Sequence, residues 1–130
     1  GSFAVDKGNY SFGLVAVEEG NVIYEDNGVG YDKEAISLRN VSGEVLGATR
    51  AVEFALENGY KEFTIAYDYQ GIECWALGTW KRNNRITQEY NSFMQEKMKE
   101  IKIKFKKIKG HSGDKYNDMA DILAKKALGI

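Results

Sequence analysis

Three acidic side chains stand at positions where a fold could bring carboxylates together. Glu44 lies near the start of a segment with helical periodicity, Asp68 directly follows a short apolar run, and Asp121 lies within a second amphipathic segment. Ligands of open α/β sheets gather at the carboxyl ends of strands, so an acid placed like Asp68 is a candidate for a site. If the strands that carry these elements are neighbours, the three carboxylates converge at one end of the sheet.

Carboxylates that converge repel one another, and a divalent cation relieves that repulsion. Hard oxygen ligands of this kind suit Mg²⁺ or Mn²⁺. Two such ions about 3.5–4 Å apart activate a water molecule and stabilise the leaving oxygen of a phosphodiester. Taken singly, each acid has a simpler explanation, because Glu44 could serve the helix dipole, Asp68 could cap a turn and Asp121 could be solvated. Only the three together predict metal-dependent phosphodiester chemistry.

The last acid belongs to a stretch that also carries the only histidine. His111 lies in a glycine-flanked loop between the end of a strand and a helix. In that helix Asn117 and Asp121 are four residues apart and therefore lie one above the other. They stand beside an apolar stripe, where a carboxylate is costly unless it is hydrogen-bonded, paired or bound to metal. Helical spacing predicts that this buried stripe consists of Tyr116, Met119, Ala120, Leu123 and Ala127.

The length and composition of the chain indicate one compact domain over residues 1–130. With 130 residues and 43% hydrophobic content, the chain can bury a real core. It contains no apolar run long enough to span a bilayer and no signal-peptide pattern, so we expect a soluble cytoplasmic protein without a membrane partner. Cys74 is the only cysteine, which fits a reducing compartment. No feature indicates an obligate protein partner.

Charge is distributed unevenly along the chain. The net charge is −1, yet seven lysines lie between Lys97 and Lys109 against the single acid Glu100. Such a cluster could form a basic surface that meets phosphates. It could equally be the solvated face of a helix and an edge strand.

Hydrophobic periodicity predicts an alternation of strands and helices. A hairpin is expected from residue 10 onward, with a turn at 19–21 and a second strand beginning at 22. The segment 26–40 should then connect to a helix at 41–58, with Asn40 as N-cap and Gly59 as its stop. The remaining predicted elements are a parallel strand at 63–67 that is apolar on both faces, helices at 70–77 and 87–101, a half-buried strand at 101–105, and the final helix. This order favours an α/β fold with a mixed sheet.

Three motifs occur in order along the chain, and together they resemble those of type 1 ribonuclease H. One match would be weak, whereas three in order with suitable spacing are specific. The resemblance covers nearly the whole chain and is strongest to the bacterial subgroup that lacks the long basic insertion between the middle helices. The motifs are Asn40-Val41-Ser42-Gly43-Glu44, Tyr67-Asp68-Tyr69-Gln70-Gly71-Ile72, and Gly110-His111-Ser112-Gly113-Asp114 followed by Asn117 and Ala120-Asp121.

The resemblance implies a ribonuclease H-like fold, with a mixed central sheet and helices on both faces. It also implies endonucleolytic hydrolysis of the RNA strand of RNA–DNA hybrids, which leaves 5′-phosphate and 3′-hydroxyl ends. By this resemblance Glu44, Asp68 and Asp121 would hold two Mg²⁺ ions, or Mn²⁺ in their place. His111 would assist proton transfer or product release, as an accessible imidazole can; a lone histidine in a loop can also be an ordinary surface residue.

The same resemblance implies residues that contact the nucleic acid. Asn40 and Gln70 would hydrogen-bond the hybrid in its minor groove, where the 2′-hydroxyl distinguishes RNA from DNA. Asn117 would belong to this binding group and would support Asp121.

One departure from the family pattern concerns its first strand. The family carries a fourth carboxylate there, in an Asp-Gly-Ser segment, and the match of Gly1-Ser2-Phe3 to that segment places the expected Asp just before residue 1. In a competing alignment, Phe3-Ala4-Val5 is a stub of the strand and Asp6 takes the missing role. We favour the first alignment, because the second leaves only a short connection to the next strand.

On the favoured alignment the domain begins just after the Asp. Since loss of a metal ligand should impair two-metal catalysis, an alternative function is a hybrid-binding module of the same fold with impaired catalysis. A further alternative is another nuclease of this fold, such as a junction resolvase or an integrase.

Overall fold

The computed structural model of the protein describes the backbone of residues 2–4, 9–31, 40–108 and 114–129, and the side chains of 9–31, 41–108 and 114–129. Over these residues it has five strands and four helices, in an α/β arrangement as predicted. In chain order they are β1 (Ser2–Ala4), β2 (Asn9–Glu18), β3 (Asn21–Gly30), α1 (Asn40–Glu57), β4 (Glu62–Tyr67), α2 (Gly71–Leu77), α3 (Arg85–Lys97), β5 (Lys102–Lys107) and α4 (Lys115–Leu128).

The strands show both orientations that a mixed sheet requires. β2 pairs antiparallel with β1 and with β3, whereas β4 pairs parallel with β5 along its whole length. Among the described residues the two groups, β1-β2-β3 and β4-β5, are not hydrogen-bonded to each other. The mixed character is therefore as predicted, but the hydrogen bonding is divided into two groups rather than one continuous sheet.

The β2–β3 hairpin confirms the predicted turn and extends further than the sequence indicated. Glu19 and Gly20 both have positive φ, 51° and 81°, which gives the turn a twist that matches the strands. β3 continues to Gly30, although the glycines of this segment suggested a connection. The reason is steric: a Cβ at Gly30 would lie 2.1 Å from the Tyr10 ring, so the aromatic ring on β2 occupies the space that a side chain would need.

The ends of α1 and α3 are set by local hydrogen bonds. Gly59, at φ 75°, donates its N–H to the Leu56 carbonyl, and Tyr60 donates to the Ala55 carbonyl, which confirms the predicted stop of α1. The Asn84 side chain accepts from the Thr87 N–H at 2.9 Å, so α3 begins two residues earlier than predicted. It also ends at Lys97, four residues earlier than predicted.

The main hydrophobic core lies between α1, β4, α2 and α3. Its most deeply buried members include Val52, Ile72, Tyr90 and Met94, none more than 2% exposed. The Tyr90 hydroxyl donates to the Ile72 carbonyl at 2.7 Å, so even the polar atom of this large side chain has a partner.

α4 covers β2 on the face opposite α1. A Cβ at Gly13 would lie 1.8 Å from the Ala120 carbonyl oxygen of α4, while the neighbouring Phe12 points the other way, toward Gly47 of α1. Successive residues of a strand face opposite sides, so helices lie on both faces of this sheet, as predicted.

The predicted buried stripe of α4 is partly wrong. The fully buried residues are Ala124 and Leu128, and the predicted members are only half-buried. The helix approaches β2 along its small residues, and Ser11 donates its hydroxyl to the Ala124 carbonyl at 2.5 Å. Because the two backbones come this close, the side of α4 that carries small residues faces β2. The side with the largest apolar residues does not.

The prediction that the strand now seen as β4 is apolar and covered on both faces is also wrong. Ile65 and Tyr67 are buried, but Thr64 and Ala66 are exposed. In the part of the chain that the structure describes, helices cover only one face of this strand. No helix in that same part is both long enough and apolar enough to cross a bilayer.

Candidate metal centre

Three separate elements deliver the three acids to one point. Glu44 comes from the first turns of α1, Asp68 from the residue directly after β4, and Asp121 from the middle of α4. One carboxylate oxygen of each lies within 4.8 Å of the corresponding oxygens of the other two, and all three side chains are half-buried. The structure thus brings together the acids that the sequence singled out, although they are 24 and 53 residues apart along the chain.

The environment of Glu44 opposes negative charge on its carboxyl group. Burial raises the pKa of Glu44, and the charges of Asp68 and Asp121 raise it further. Oxygen donors that crowd together in this way are the ligands that Mg²⁺ and Mn²⁺ take in proteins. The distances between these oxygens, up to 4.8 Å, also suit a site for two ions about 3.5–4 Å apart. The residues present therefore fit a divalent-metal centre in donor chemistry and in spacing.

One hydrogen bond connects Asp68 to α4, and a second connects the preceding residue, Tyr67, to the end of β5. The Asn117 side chain donates to Asp68 Oδ2 at 3.4 Å, and the backbone N–H of Ile108 donates to the Tyr67 carbonyl at 2.7 Å. Asn117 is itself held at the start of α4, where its N–H donates to the Asp114 carboxylate at 3.0 Å. This hydrogen bond connects Asn117 to Asp68 and so joins β4 to α4, while the expected support of Asp121 by Asn117 stays a prediction.

The other predicted site residues are placed less completely. Gln70 is half-buried just before α2, and its amide donates to the Cys74 sulfur at 3.4 Å, along the helix. Asn40 begins α1, but its side chain lies outside the described residues, as do His111 and Asp6. The roles of these four residues stay predictions.

Two features beside Asp68 were not found from the sequence. The buried Tyr67 donates its hydroxyl to Glu73, and burial together with this carboxylate raises the Tyr67 pKa to about 12. On the other side, Tyr69 contacts Trp75 and Trp80, with ring centroids 5.7 and 6.2 Å apart. Motif spacing indicates neither contact, because each depends on how α2 folds back against the end of β4.

The lysine cluster forms an exposed face on β5. Lys102, Lys104 and Lys106 are exposed and lie opposite Glu62, Thr64 and Ala66 in the parallel register. Lys104 is 3.5 Å from the Glu62 carboxylate, an exposed pair that adds little stability. The last lysine of the cluster, Lys109, lies outside the described residues.

Comparison with known proteins connects this arrangement to one family. Residues 17–129 match the family model for RNase H. Ribonuclease H proteins from Wolbachia sp. subsp. Drosophila simulans (strain wRi) and Wolbachia pipientis wMel are 37% identical over 60 residues, 44% of this chain. The match spans only 41% of the length of each of these relatives.

Solved structures share the fold. RNase H1 from the archaeon Halobacterium salinarum superposes with a TM-score of 0.73 at 20% identity, over 93% of this chain and 85% of that one. LC11-RNase H1 in complex with an RNA/DNA hybrid gives 0.67 at 16% identity, over 92% and 97%. The holo form of a ribonuclease H domain from D. hafniense is 42% identical over 100% of this chain and 85% of its own, with a TM-score of 0.57. The chain therefore belongs to the RNase H family, as its motifs predicted.

Proposed function

We propose that the protein is an endoribonuclease that hydrolyses the RNA strand of RNA–DNA hybrids with the help of two divalent ions, Mg²⁺ or Mn²⁺. The observation that carries this proposal is the meeting of three carboxylates from α1, β4 and α4 within 4.8 Å, in a chain of the RNase H family. LC11-RNase H1, a protein of the same fold, is solved with an RNA/DNA hybrid bound, which supports the substrate class.

In this reaction each of the three carboxylates would be positioned by a different helix or strand. Bound divalent ions would supply an activated water and stabilise the leaving oxygen. Glu44, Asp68 and Asp121 would hold them, each on a different rigid element, and the hydrogen bond from Asn117 would orient Asp68. His111 would move a proton during hydrolysis or product release.

The protein would bind the hybrid through contacts in its minor groove and contacts to its phosphates. Asn40 and Gln70 would read the minor groove, where the 2′-hydroxyl marks the RNA strand. Asn117, at the start of α4, would join them, and the exposed lysines of β5 would meet phosphates. A cytoplasmic location belongs to the same proposal.

A matched pair of substitutions in one helix tests the role of the acids. Asp121→Asn, like Asp68→Asn, should reduce Mg²⁺-dependent cleavage of a labelled hybrid by more than the about 10–100-fold that loss of an orienting residue costs. Asp118→Asn makes the same chemical change three residues earlier in α4, outside the cluster, and should leave cleavage nearly unchanged. Equal rates for Asp121→Asn and the unsubstituted protein would overturn the proposal.

A second candidate function is a hybrid-binding module with impaired catalysis. The observation that favours it is the lysine face of β5, whose exposed side chains can meet phosphates whether or not hydrolysis follows. This function predicts salt-sensitive hybrid binding without turnover in Mg²⁺ or Mn²⁺, since phosphate contacts release counterions. Multiple turnover of a hybrid in either metal would exclude it.

A further inference from the structure

A groove lies between the second half of α1 and the first half of β3. It has a volume of about 530 Å³, within the roughly 300–1,000 Å³ of ligand pockets. We call it the hairpin groove, and the residues that line it include Arg50, Glu53, Phe54 and Glu57 of α1 and Tyr24 and Asp26 of β3. At a rise of about 1.5 Å per residue, α1 ends about 20 Å from Glu44. The hairpin groove is therefore separate from the candidate metal centre.

The floor of the hairpin groove is apolar and partly open to solvent. The rings of Tyr24 and Phe54 are stacked, with centroids 4.4 Å apart and planes 12° from parallel, and Tyr24 remains 36% exposed. The register of β3 shifts opposite Ala16 and Val17, so that Ile23 is skipped in the pairing with β2. Successive residues of a regular strand face opposite sides, whereas a bulge can redirect a side chain. Ile23, 44% exposed, lines the same groove as its neighbour Tyr24.

The rim of the hairpin groove is acidic where the helix itself disfavours negative charge. Glu57 is the last residue of α1 and Glu53 lies one turn earlier, and the last turn contains no basic residue. The helix dipole opposes carboxylates at a C-terminal end, and two glutamates four residues apart repel each other. Within the described residues, neither these glutamates nor Arg50 forms an ion pair. A cationic group bound at this rim would relieve both repulsions.

We propose that the hairpin groove is a docking site for a segment of a partner protein in which an arginine stands next to an apolar residue. A guanidinium is planar and has five N–H donors, so it can lie on the exposed Tyr24 ring and donate to carboxylates at the same time. Side chains four residues apart on a helix have Cβ atoms about 5–6 Å apart, so one guanidinium can reach both Glu53 and Glu57. The apolar neighbour would cover Ile23.

Charge complementarity favours this occupant over an acidic or a purely apolar segment. Four carboxylates and one guanidinium line the hairpin groove, from Glu18, Asp26, Glu53, Glu57 and Arg50. An acidic segment would add to the repulsion, and a purely apolar one would remove water from these carboxylates without giving them a partner. A segment with both an arginine and an apolar residue matches the rim and the floor together.

Binding of short peptides tests this inference independently of nuclease activity. The probe is a fluorescein-labelled hexapeptide, Gly-Leu-Arg-Leu-Ser-Gly. Its anisotropy should show saturable binding that weakens as salt rises, because exposed charges are screened. A matched hexapeptide with citrulline in place of arginine keeps the shape and loses the charge, so it should bind at least about 10-fold more weakly.

Substitutions locate the peptide and separate binding from folding. Glu53→Gln combined with Glu57→Gln should weaken binding at least about 10-fold. The same pair should leave the melting temperature unchanged or raise it, because it removes charges that the helix dipole and their mutual repulsion oppose. Glu96→Gln, the same change at an exposed position of α3 outside the groove, should preserve binding. Tyr24→Leu keeps an apolar side chain without the ring, so it should weaken the arginine peptide more than the citrulline peptide.

Several outcomes would overturn the inference. They are the absence of saturable binding, equal binding of the citrulline peptide, and equal binding by the double glutamine variant. Displacement of the probe by spermidine as effectively as by the unlabelled peptide would show that the groove recognises positive charge alone. Self-association that is lost in the double glutamine variant would show that a second copy of the chain occupies the groove instead.

Discussion

The two helix–sheet contacts of this protein are built in opposite ways. Between α1, β4, α2 and α3, large side chains such as Tyr90 and Met94 fill the space. Between α4 and β2, glycine and alanine let two backbones approach until a Cβ at Gly13 would lie 1.8 Å from a carbonyl oxygen. The first contact depends on large side chains and the second on small ones. Substitutions that change side-chain volume should therefore affect the two contacts differently.

The candidate metal centre depends on both contacts. Glu44 and Asp68 belong to the elements that surround the main core, and Asp121 belongs to α4. The distance between these acids therefore depends on how closely α4 packs on β2. A change that moves α4 should affect the centre directly, whereas one that loosens the main core should mostly lower stability.

The largest expected effect comes from removing volume in the main core. Met94→Ala should lower the free energy of unfolding by about 2–5 kcal/mol, because Met94 is 0% exposed and the cavity cannot collapse fully. Met119→Ala, at a half-buried position of α4, should cost less. Urea unfolding of both variants measures the difference, and equal losses would contradict the contrast between the two regions.

Adding one methyl group to the close contact should have the next largest effect. Gly13→Ala should destabilise by about 1–3 kcal/mol, because the atom it would meet is backbone and cannot rotate away. It should also weaken Mg²⁺ binding, measured by calorimetry, since Asp121 moves with α4.

The matched change on the other face of β2 should act in the opposite direction. A Cβ at Gly47 would meet Phe12 Cβ at an ordinary 3.5 Å, so Gly47→Ala should raise helix stability by up to about 1 kcal/mol. Destabilisation by both alanines would mean that the α1 contact is as close as the α4 contact.

Neutralising one acid of the cluster should stabilise the metal-free protein. The pKa of Glu44 is raised above its ordinary 4.5, so its contribution to stability is present at low pH and is lost as the pH rises through the raised pKa. In EDTA, Glu44→Gln should therefore increase stability at pH 7, with no increase near pH 3. Saturating Mg²⁺ should reverse the sign. Thermal unfolding in EDTA at pH 7, in EDTA at pH 3 and in saturating Mg²⁺ at pH 7 tests this, and a gain that persists at pH 3 would contradict it.

The smallest effect concerns alkaline stability. Tyr67 has its pKa raised from 10.0 to about 12, so its contribution is full below pH 10 and is lost as the pH rises toward 12. Tyr67→Phe should reduce the slope of stability against pH in that range, whereas Tyr31→Phe, at a position 72% exposed, should not. An unchanged slope in Tyr67→Phe would contradict the raised pKa of the Tyr67 hydroxyl.

Local patterns were enough to predict most elements and the acids of the candidate centre. The alternation around Ile103, the stop at Gly59 and the position of Asp68 after a strand all depend on neighbours in the chain, so a sequence carries them directly. The glycines of β3 were misinterpreted because their reason lies across the hairpin, in the rings of Tyr10 and Phe12.

The sequence by itself determined the family motifs, the order of strands and helices and the acids that could meet. The tertiary structure alone decided which side of α4 faces β2, that Asn117 reaches Asp68, and that Tyr69 contacts Trp75 and Trp80. The physical reason is that periodicity reports which residues prefer burial. The partner that buries them is chosen by shape, by hydrogen bonds and by close approach between segments far apart in the chain.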